Sequence, residues 1–281
     1  MNLGIRAHDI ESKSLEKMVN DISVKGLTSV QLALNKSLPA YYPGLGSLSP
    51  GLARHIGGAF SGKGLQIAVL GCYFNMIHPD PIERRKGMDC FKEHLRFARD
   101  FGCSIVGTET GNVNAEIVYT VENFNEKPFM EVVESVSELV KEAEKFGVIV
   151  GIEAGVNHPI YSVQTLKRLI DKIDSHNLQV IFDPYNLLTF DNYMNQEEIF
   201  EEAFELLGDR MVICHAKDFI VKGSSLKQVP VGQGLLNYDK LFSLIRKTKP
   251  FIDILIEGTK EPFIDESIMY LRGKYSKAHA F

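Results

Sequence analysis

Four residues, Glu153, Asp183, His215 and Glu257, each follow directly on a short apolar run, and the gaps between them are each about one strand-plus-helix unit long. Three carboxylates and one imidazole are an oxygen-rich donor set. Such a set suits one divalent metal, Mn²⁺ or Mg²⁺ first, with Co²⁺ or Zn²⁺ as alternatives. A structural zinc site would use thiolates, yet Cys72, Cys90, Cys103 and Cys214 form no Cys-x-x-Cys pair. Three carboxylates drawn into a small pocket without a cation would repel one another and lose their hydration, and a metal relieves both costs. Any one of the four could instead cap a helix or pair with a rim lysine such as Lys217 or Lys260; four successive strand ends favour the metal.

The elements that would carry these residues alternate throughout the chain. Residues 148–155 read Val-Ile-Val-Gly-Ile-Glu-Ala-Gly, a buried strand that stops at Glu153. Similar runs predict strands at 3–6, 29–34, 66–70, 104–108, 179–182, 211–214 and 251–256. Between them, helical periodicity predicts helices at 12–25, 52–63, 82–101, 129–146, 162–173, 197–207 and 238–247. The first shows the pattern plainly, with Leu15, Met18, Val19 and Ile22 on one face. Eight strands with helices between them predict an α/β fold, a single (β/α)8 TIM barrel over residues 1–281, with chemistry at the carboxyl ends of the strands. The strand ends then present Glu109, Glu153, Asp183, His215 and Glu257 on one rim.

A net charge of −5 argues against nucleic acid as the partner, because phosphate backbones call for a dense positive surface. No stretch reaches the roughly 18 uninterrupted apolar residues of a membrane span, and the N-terminus lacks a signal-like pattern. A cytoplasmic protein with reduced thiols is expected. Cys214 precedes His215 on the same strand, and alternation points it outward to packing.

The motifs around the four residues are Phe182-Asp183-Pro184-Tyr185-Asn186, His215-Ala216-Lys217-Asp218 and Gly232-Gln233-Gly234-Leu235-Leu236-Asn237-Tyr238. They resemble the sugar phosphate isomerase/epimerase superfamily, the xylose isomerase-like barrels that include ketose 3-epimerases, inosose dehydratases and deoxyribonuclease IV. The resemblance spans nearly the whole chain and looks closest to the ketose 3-epimerases. It implies a small sugar or sugar phosphate as substrate and one metal, usually manganese, held by Glu153, Asp183, His215 and Glu257. It also implies that Glu153 and Glu257 are the acid/base pair, one removing a proton to give an enediolate and the other returning it on the opposite face. An inosose-type dehydratase and a non-catalytic sugar-binding barrel are the alternatives. Two departures stand out. Asn186 occupies the place of a histidine in those epimerases, and their substrate arginine has no match, leaving Lys217 or Lys222. Deoxyribonuclease IV needs several further histidines for its three zinc ions, and this chain has eight in all.

Six residues are expected to contact substrate: Glu109 on the rim, His8 and His78 near strand ends, His158 in the loop after Glu153, Asn186, and Lys217. For Lys217, a surface ion pair with Asp218 is the alternative. The Pro, Gly and Tyr-rich loop 35–51 is read either as a substrate lid or as a plain excursion. The apolar tail 263–271 is a candidate dimer surface, so a homo-oligomer is a further expectation.

Overall fold

Eight parallel strands, each a short buried run rich in Val, Ile and Leu, close on themselves in the order β1-β10-β7-β6-β5-β4-β3-β2 in the computed structural model, which describes residues 1–12 and 14–278. They are β1 (Asn2–Arg6), β2 (Ser29–Leu32), β3 (Gln66–Gly71), β4 (Ile105–Thr108), β5 (Ile149–Glu153), β6 (Leu178–Phe182), β7 (Met211–Ala216) and β10 (Asp253–Ile256). An antiparallel hairpin, β8 (Asp218–Lys222) and β9 (Ser225–Val229), is inserted after β7. The helices α1 (Leu15–Ser23), α2 (Leu34–Ser37), α3 (Pro50–Ser61), α4 (Pro81–Phe97), α5 (Glu126–Phe146), α6 (Val163–Ile173), α7 (Gln196–Leu207), α8 (Tyr238–Thr248) and α9 (Ile264–Lys277) accompany the strands. The expected (β/α)8 barrel is therefore the observed fold.

Helix starts are written locally. Ser14 and Ser49 accept backbone N–H bonds at the starts of α1 and α3, and Ser162 with Thr165 forms a reciprocal capping box on α6, satisfying donors that a helix cannot pair internally. On α5, Val132, Val136, Leu139, Val140 and Ala143 form the buried stripe that seats the helix on the barrel.

Two hydrophobic layers result. The large outer layer lies between strands and helices, while Ala68, Val69, Ile181, Ile213 and Leu255 form a separate cluster inside the barrel. Strand alternation fixes the relation of this plug to the rim: Ile181, Ile213 and Leu255 sit two residues before Asp183, His215 and Glu257, one layer beneath them. The position below Glu153 is Gly151. A Cβ there would meet Ile181 Cδ1 at 2.9 Å, and at Gly107 on β4 it would meet the same atom at 2.5 Å. The two glycines leave room for one large isoleucine, and together they floor the site.

The structure adds four details to the sequence reading. The last strand starts at Asp253, not 251, and Phe251 is solvent-exposed in the turn before it. Loop 35–51 is anchored to α4: α2 opens it, Tyr42 is buried, and the buried Glu93 accepts hydrogen bonds from Tyr42 Oη, Gly46 N and Leu48 N. The tail 263–271 forms the start of α9, with Ile264, Ile268 and Leu271 buried in the outer core and Phe263 and Met269 exposed. The hairpin β8–β9 went unpredicted because its strands are five residues each and their longest apolar run is only Phe219-Ile220-Val221. No helix among the described residues is long and apolar enough to cross a membrane.

Candidate metal centre

The carboxyl ends of β5, β6, β7 and β10 bring Glu153, Asp183, His215 and Glu257 together, with one ligand atom from each lying within 4.8 Å of all the others. Glu153 and Glu257 stand on strands three places apart in the barrel, and Asp183 and His215 lie between them. Cys214 faces the outer core, as alternation demands.

A second layer of side chains fixes the imidazole. His215 Nε2 donates to Gln31 Oε1 at 2.7 Å, and the amide nitrogen of Gln31 donates to the Tyr73 hydroxyl, which orients the amide. Nδ1 is thereby left as the inward-facing atom. It lies 3.1 Å from Glu257 Oε2, 3.4 Å from Glu153 Oε2 and 3.5 Å from Asp183 Oδ2. Both His215 Nδ1 and Asp183 Oδ2 are fully buried without an aligned hydrogen bond; the Lys217 ammonium sits 2.8 Å from Asp183 Oδ2 as a charge contact only. An imidazole nitrogen facing three carboxylate oxygens needs either a proton or a cation between them. The donor set therefore fits a divalent metal.

The titration behaviour follows from the same crowding. Burial alone would lower His215, but the Glu153 and Glu257 carboxylates outweigh it and push the imidazole up to about 10. Burial raises Glu153 to about 7, against the opposing pull of His215 and Lys217. Asp183 goes the other way: burial would raise it, yet Lys217 and His215 hold it well below the usual carboxylate range. Lys217 is buried too, and Asp183, Glu257 and Glu153 keep it charged by raising it far above its ordinary value.

Each glutamate is dressed differently. Asn186 Nδ2 donates to Glu153 Oε1 at 2.6 Å and its carbonyl oxygen accepts from Lys217 at 3.2 Å, so this amide orients an acid instead of relaying a proton. Glu257 Oε1 meets two cations, Arg6 Nη1 at 2.6 Å and Lys217 Nζ at 2.7 Å. Arg6 in turn is clamped by the buried Asp9 through Nε and Nη2, both at 2.9 Å, and Asp9 also accepts the Gly258 N–H at 2.8 Å. This clamp ties the first barrel strand to the last at the rim. Replacing Arg6 by Met should lower stability by about 3 kcal/mol, because removing one partner strands a buried charge. Adding Asp9→Asn should recover part of the loss in denaturant unfolding; strict additivity of the two effects would refute the clamp.

The other expected contacts divide. Glu109 and His158 face each other at 3.7 Å, and His158 Nδ1 is held by the Gly111 carbonyl at 2.8 Å. Burial notwithstanding, their mutual attraction lowers Glu109 and raises His158. Both line a cavity of about 620 Å³ together with Asn186 and Tyr185. His8 lies beside Arg6, and burial with that cation pushes it down to about 4, leaving a neutral ring. His78 is not brought to the cluster: its Nδ1 accepts the Asp80 N–H at the start of α4, and it lines a different cavity of about 230 Å³. Lys217 is no surface partner of Asp218. Asp218 is fully buried and accepts the backbone N–H groups of Phe219, Gly232, Gly234 and Leu236 at 2.9–3.1 Å. A Cβ at Gly234 would lie 2.2 Å from Asp218 Oδ1, which accounts for glycine in that motif.

Arg6, Asp9, Gln31 and Tyr73 were missed from sequence. One signal was available: an amide, Gln31, in the middle of an otherwise apolar strand.

Fold and family now converge. Residues 20–274 match the model of the xylose isomerase-like TIM barrel family, and the chain belongs to that family. Among solved structures of this fold, a D-tagatose 3-epimerase-like protein superposes with a TM-score of 0.77 at 18% identity, covering 98% of this chain and 97% of that one. The IolI protein, solved with a bound zinc atom, gives 0.75 at 16%, covering 100% of each. D-psicose 3-epimerase from Clostridium cellulolyticum H10, solved with D-tagatose, gives 0.72 at 15%, covering 98% and 99%. No curated protein matches the chain in a sequence search.

Proposed function

We propose that the protein is a divalent-metal-dependent carbohydrate epimerase or isomerase in which Glu153 and Glu257 carry the proton. One observation carries the reading: the unbonded His215 Nδ1 faces three carboxylate oxygens from Glu153, Asp183 and Glu257 at 3.1–3.5 Å. The structural neighbours described as sugar 3-epimerases, and the one described with zinc, support it. Manganese is the first choice for this oxygen-rich set, with magnesium, cobalt and zinc as alternatives.

A divalent ion held by these four residues would supply polarisation of a substrate carbonyl and its neighbouring hydroxyl, acidifying the carbon between them. The protein's own groups do the rest. Glu153 and Glu257 flank the cluster from strands three places apart, so one removes the proton from one face of that carbon and the other delivers it to the opposite face. Asn186 and Arg6 hold their respective carboxylates in place. Glu109 and His158 line the cavity beside Asn186, and in this reading they bind substrate hydroxyls.

The test is a panel of sugars and sugar phosphates incubated in deuterated water with protein stripped of metal or reloaded with Mn²⁺, Mg²⁺, Co²⁺ or Zn²⁺. Deuterium at one carbon with the carbon skeleton intact is expected, only in the reloaded samples. Loss of one water would show a dehydratase instead. Sugar binding with no exchange across the panel would show a non-catalytic barrel.

A further inference from the structure

A second cavity adjoins the one beside the metal centre. The 620 Å³ chamber that holds Glu109, His158 and Asn186 shares Tyr119, Val156 and Thr189 with a second chamber of about 710 Å³. Either alone lies in the range of about 300–1,000 Å³ that encloses a drug-sized ligand. The pair extends well beyond a single sugar ring seated at the cluster.

The walls are built, not loose. Asn112 and Asn123, both fully buried, pin the loop after β4: Asn112 Nδ2 donates to Val118 O and Asn157 O at 2.6 and 3.0 Å, and Asn123 Nδ2 donates to Asn157 O at 2.8 Å. On the facing wall, Asn192 accepts from Thr189 N at 2.7 Å and donates to Leu187 O at 3.1 Å. These pinned segments nevertheless hold aromatic side chains out to solvent. Tyr119 is 64% exposed and Phe190 41% exposed. Tyr119 leads by edge contact to Phe124, whose ring centroid lies 4.3 Å from that of Tyr161 inside the outer chamber. A rigid wall that presents aromatic faces to water calls for a ligand with C–H faces of its own.

Charge selects among such ligands. Among the described residues lining the two chambers there is no lysine or arginine, whereas Asp191, Glu198 and Glu202 are present with several amides. An anionic tail would be repelled there; a polyol ring meets aromatic faces and hydrogen-bonding acids and amides together.

We propose that the two chambers form a subsite for a second, uncharged ring joined to the reacting sugar, making the substrate a disaccharide or other glycoside. The inference rests on the metal centre being the reacting end. It excludes a sugar phosphate whose phosphate lies in these chambers.

Calorimetry and saturation-transfer NMR on the manganese-loaded protein, with glucose, glucose 6-phosphate, cellobiose, maltose and 4-nitrophenyl glucosides as probes, test it. At least one two-ring probe should bind tenfold or more tighter than glucose, with saturation reaching its second ring. Tyr119→Ala and Phe190→Ala, at exposed positions, should erase that advantage while leaving glucose affinity and melting temperature unchanged. Equal affinity for one and two rings, preference for glucose 6-phosphate, or variants that keep the two-ring advantage would each overturn the subsite. Failure of the wild type to bind any metal, with the two-ring preference intact, would overturn the proposed function and leave the chamber's ligand class standing. Metal binding without a two-ring preference would do the reverse.

Discussion

Replacing Glu153 or Glu257 by glutamine is expected to lower epimerisation by about 10²–10⁴-fold, the range for losing a positioned acid or base, while each variant still exchanges one substrate epimer with solvent deuterium. Glutamine keeps the shape and one carbonyl oxygen, so the contacts from Asn186 to position 153 and from Arg6 to position 257 have an acceptor to reuse. What is lost is the proton carrier on one side of the reacting carbon. If the two acids serve opposite faces, Glu153→Gln leaves Glu257 able to remove and return the proton of the epimer that presents it to that side, and Glu257→Gln leaves the mirror case. Deuterium wash-in without inversion, for opposite epimers in the two variants, is therefore the signature. Metal content must be measured alongside, since both residues are ligands in the proposed centre. Should both variants at full metal occupancy exchange the same epimer, or both invert at the wild-type rate, the two-face assignment is wrong.

The cluster of Glu153, Asp183, His215 and Glu257 could be read from sequence because each member terminates an apolar run, and a parallel strand that is buried on both faces has few other reasons to end in a charge. The eight-strand count was legible for the same reason, with errors confined to ends: Phe251 looks like strand but lies in a turn. What could not be read is what depends on the barrel's closure. Arg6 and Glu257 are at opposite ends of the chain, and only the β1–β10 pairing brings them to 2.6 Å. Gln31 reaches His215 across the barrel mouth in the same way. Lys217 is buried among the acids of three other strands and does not pair with its neighbour Asp218. His78 shows the converse: proximity to a strand end did not bring it to the cluster, because Asp80 holds its ring at the start of α4. The aromatic chamber was not legible, since its walls come from separate loops after different strands.

Stripping the metal is expected to make stability pH-dependent in a way that the loaded protein is not. In the metal-free cluster His215 titrates at about 10, above its ordinary 6.5. Its proton therefore stabilises the fold fully below about pH 6.5, and the contribution drains away as pH rises toward 10. Glu153, raised by burial from 4.5 to about 7, acts with the same sign: the fold prefers its neutral form, so stability falls as pH climbs from about 4.5 to 7. Asp183, held low by Lys217 and His215 against the cost of burial, opposes this only at acid pH, below its ordinary 3.8. His8, lowered to about 4 from its ordinary 6.5, opposes Glu153 below about pH 6.5, so metal-free protein should unfold at progressively lower temperature from about pH 6.5 to pH 10. A divalent ion satisfies the same atoms without a proton, so loading at 1,000 times the dissociation constant should add about 4 kcal/mol and flatten the profile. Proton release on metal binding at about pH 7, read from calorimetry in buffers of different ionisation enthalpy, gives the linked measurement. A flat melting profile for stripped protein between pH 6.5 and 10, or metal binding that expels no proton, would show that His215 Nδ1 is not the atom the metal takes from the proton.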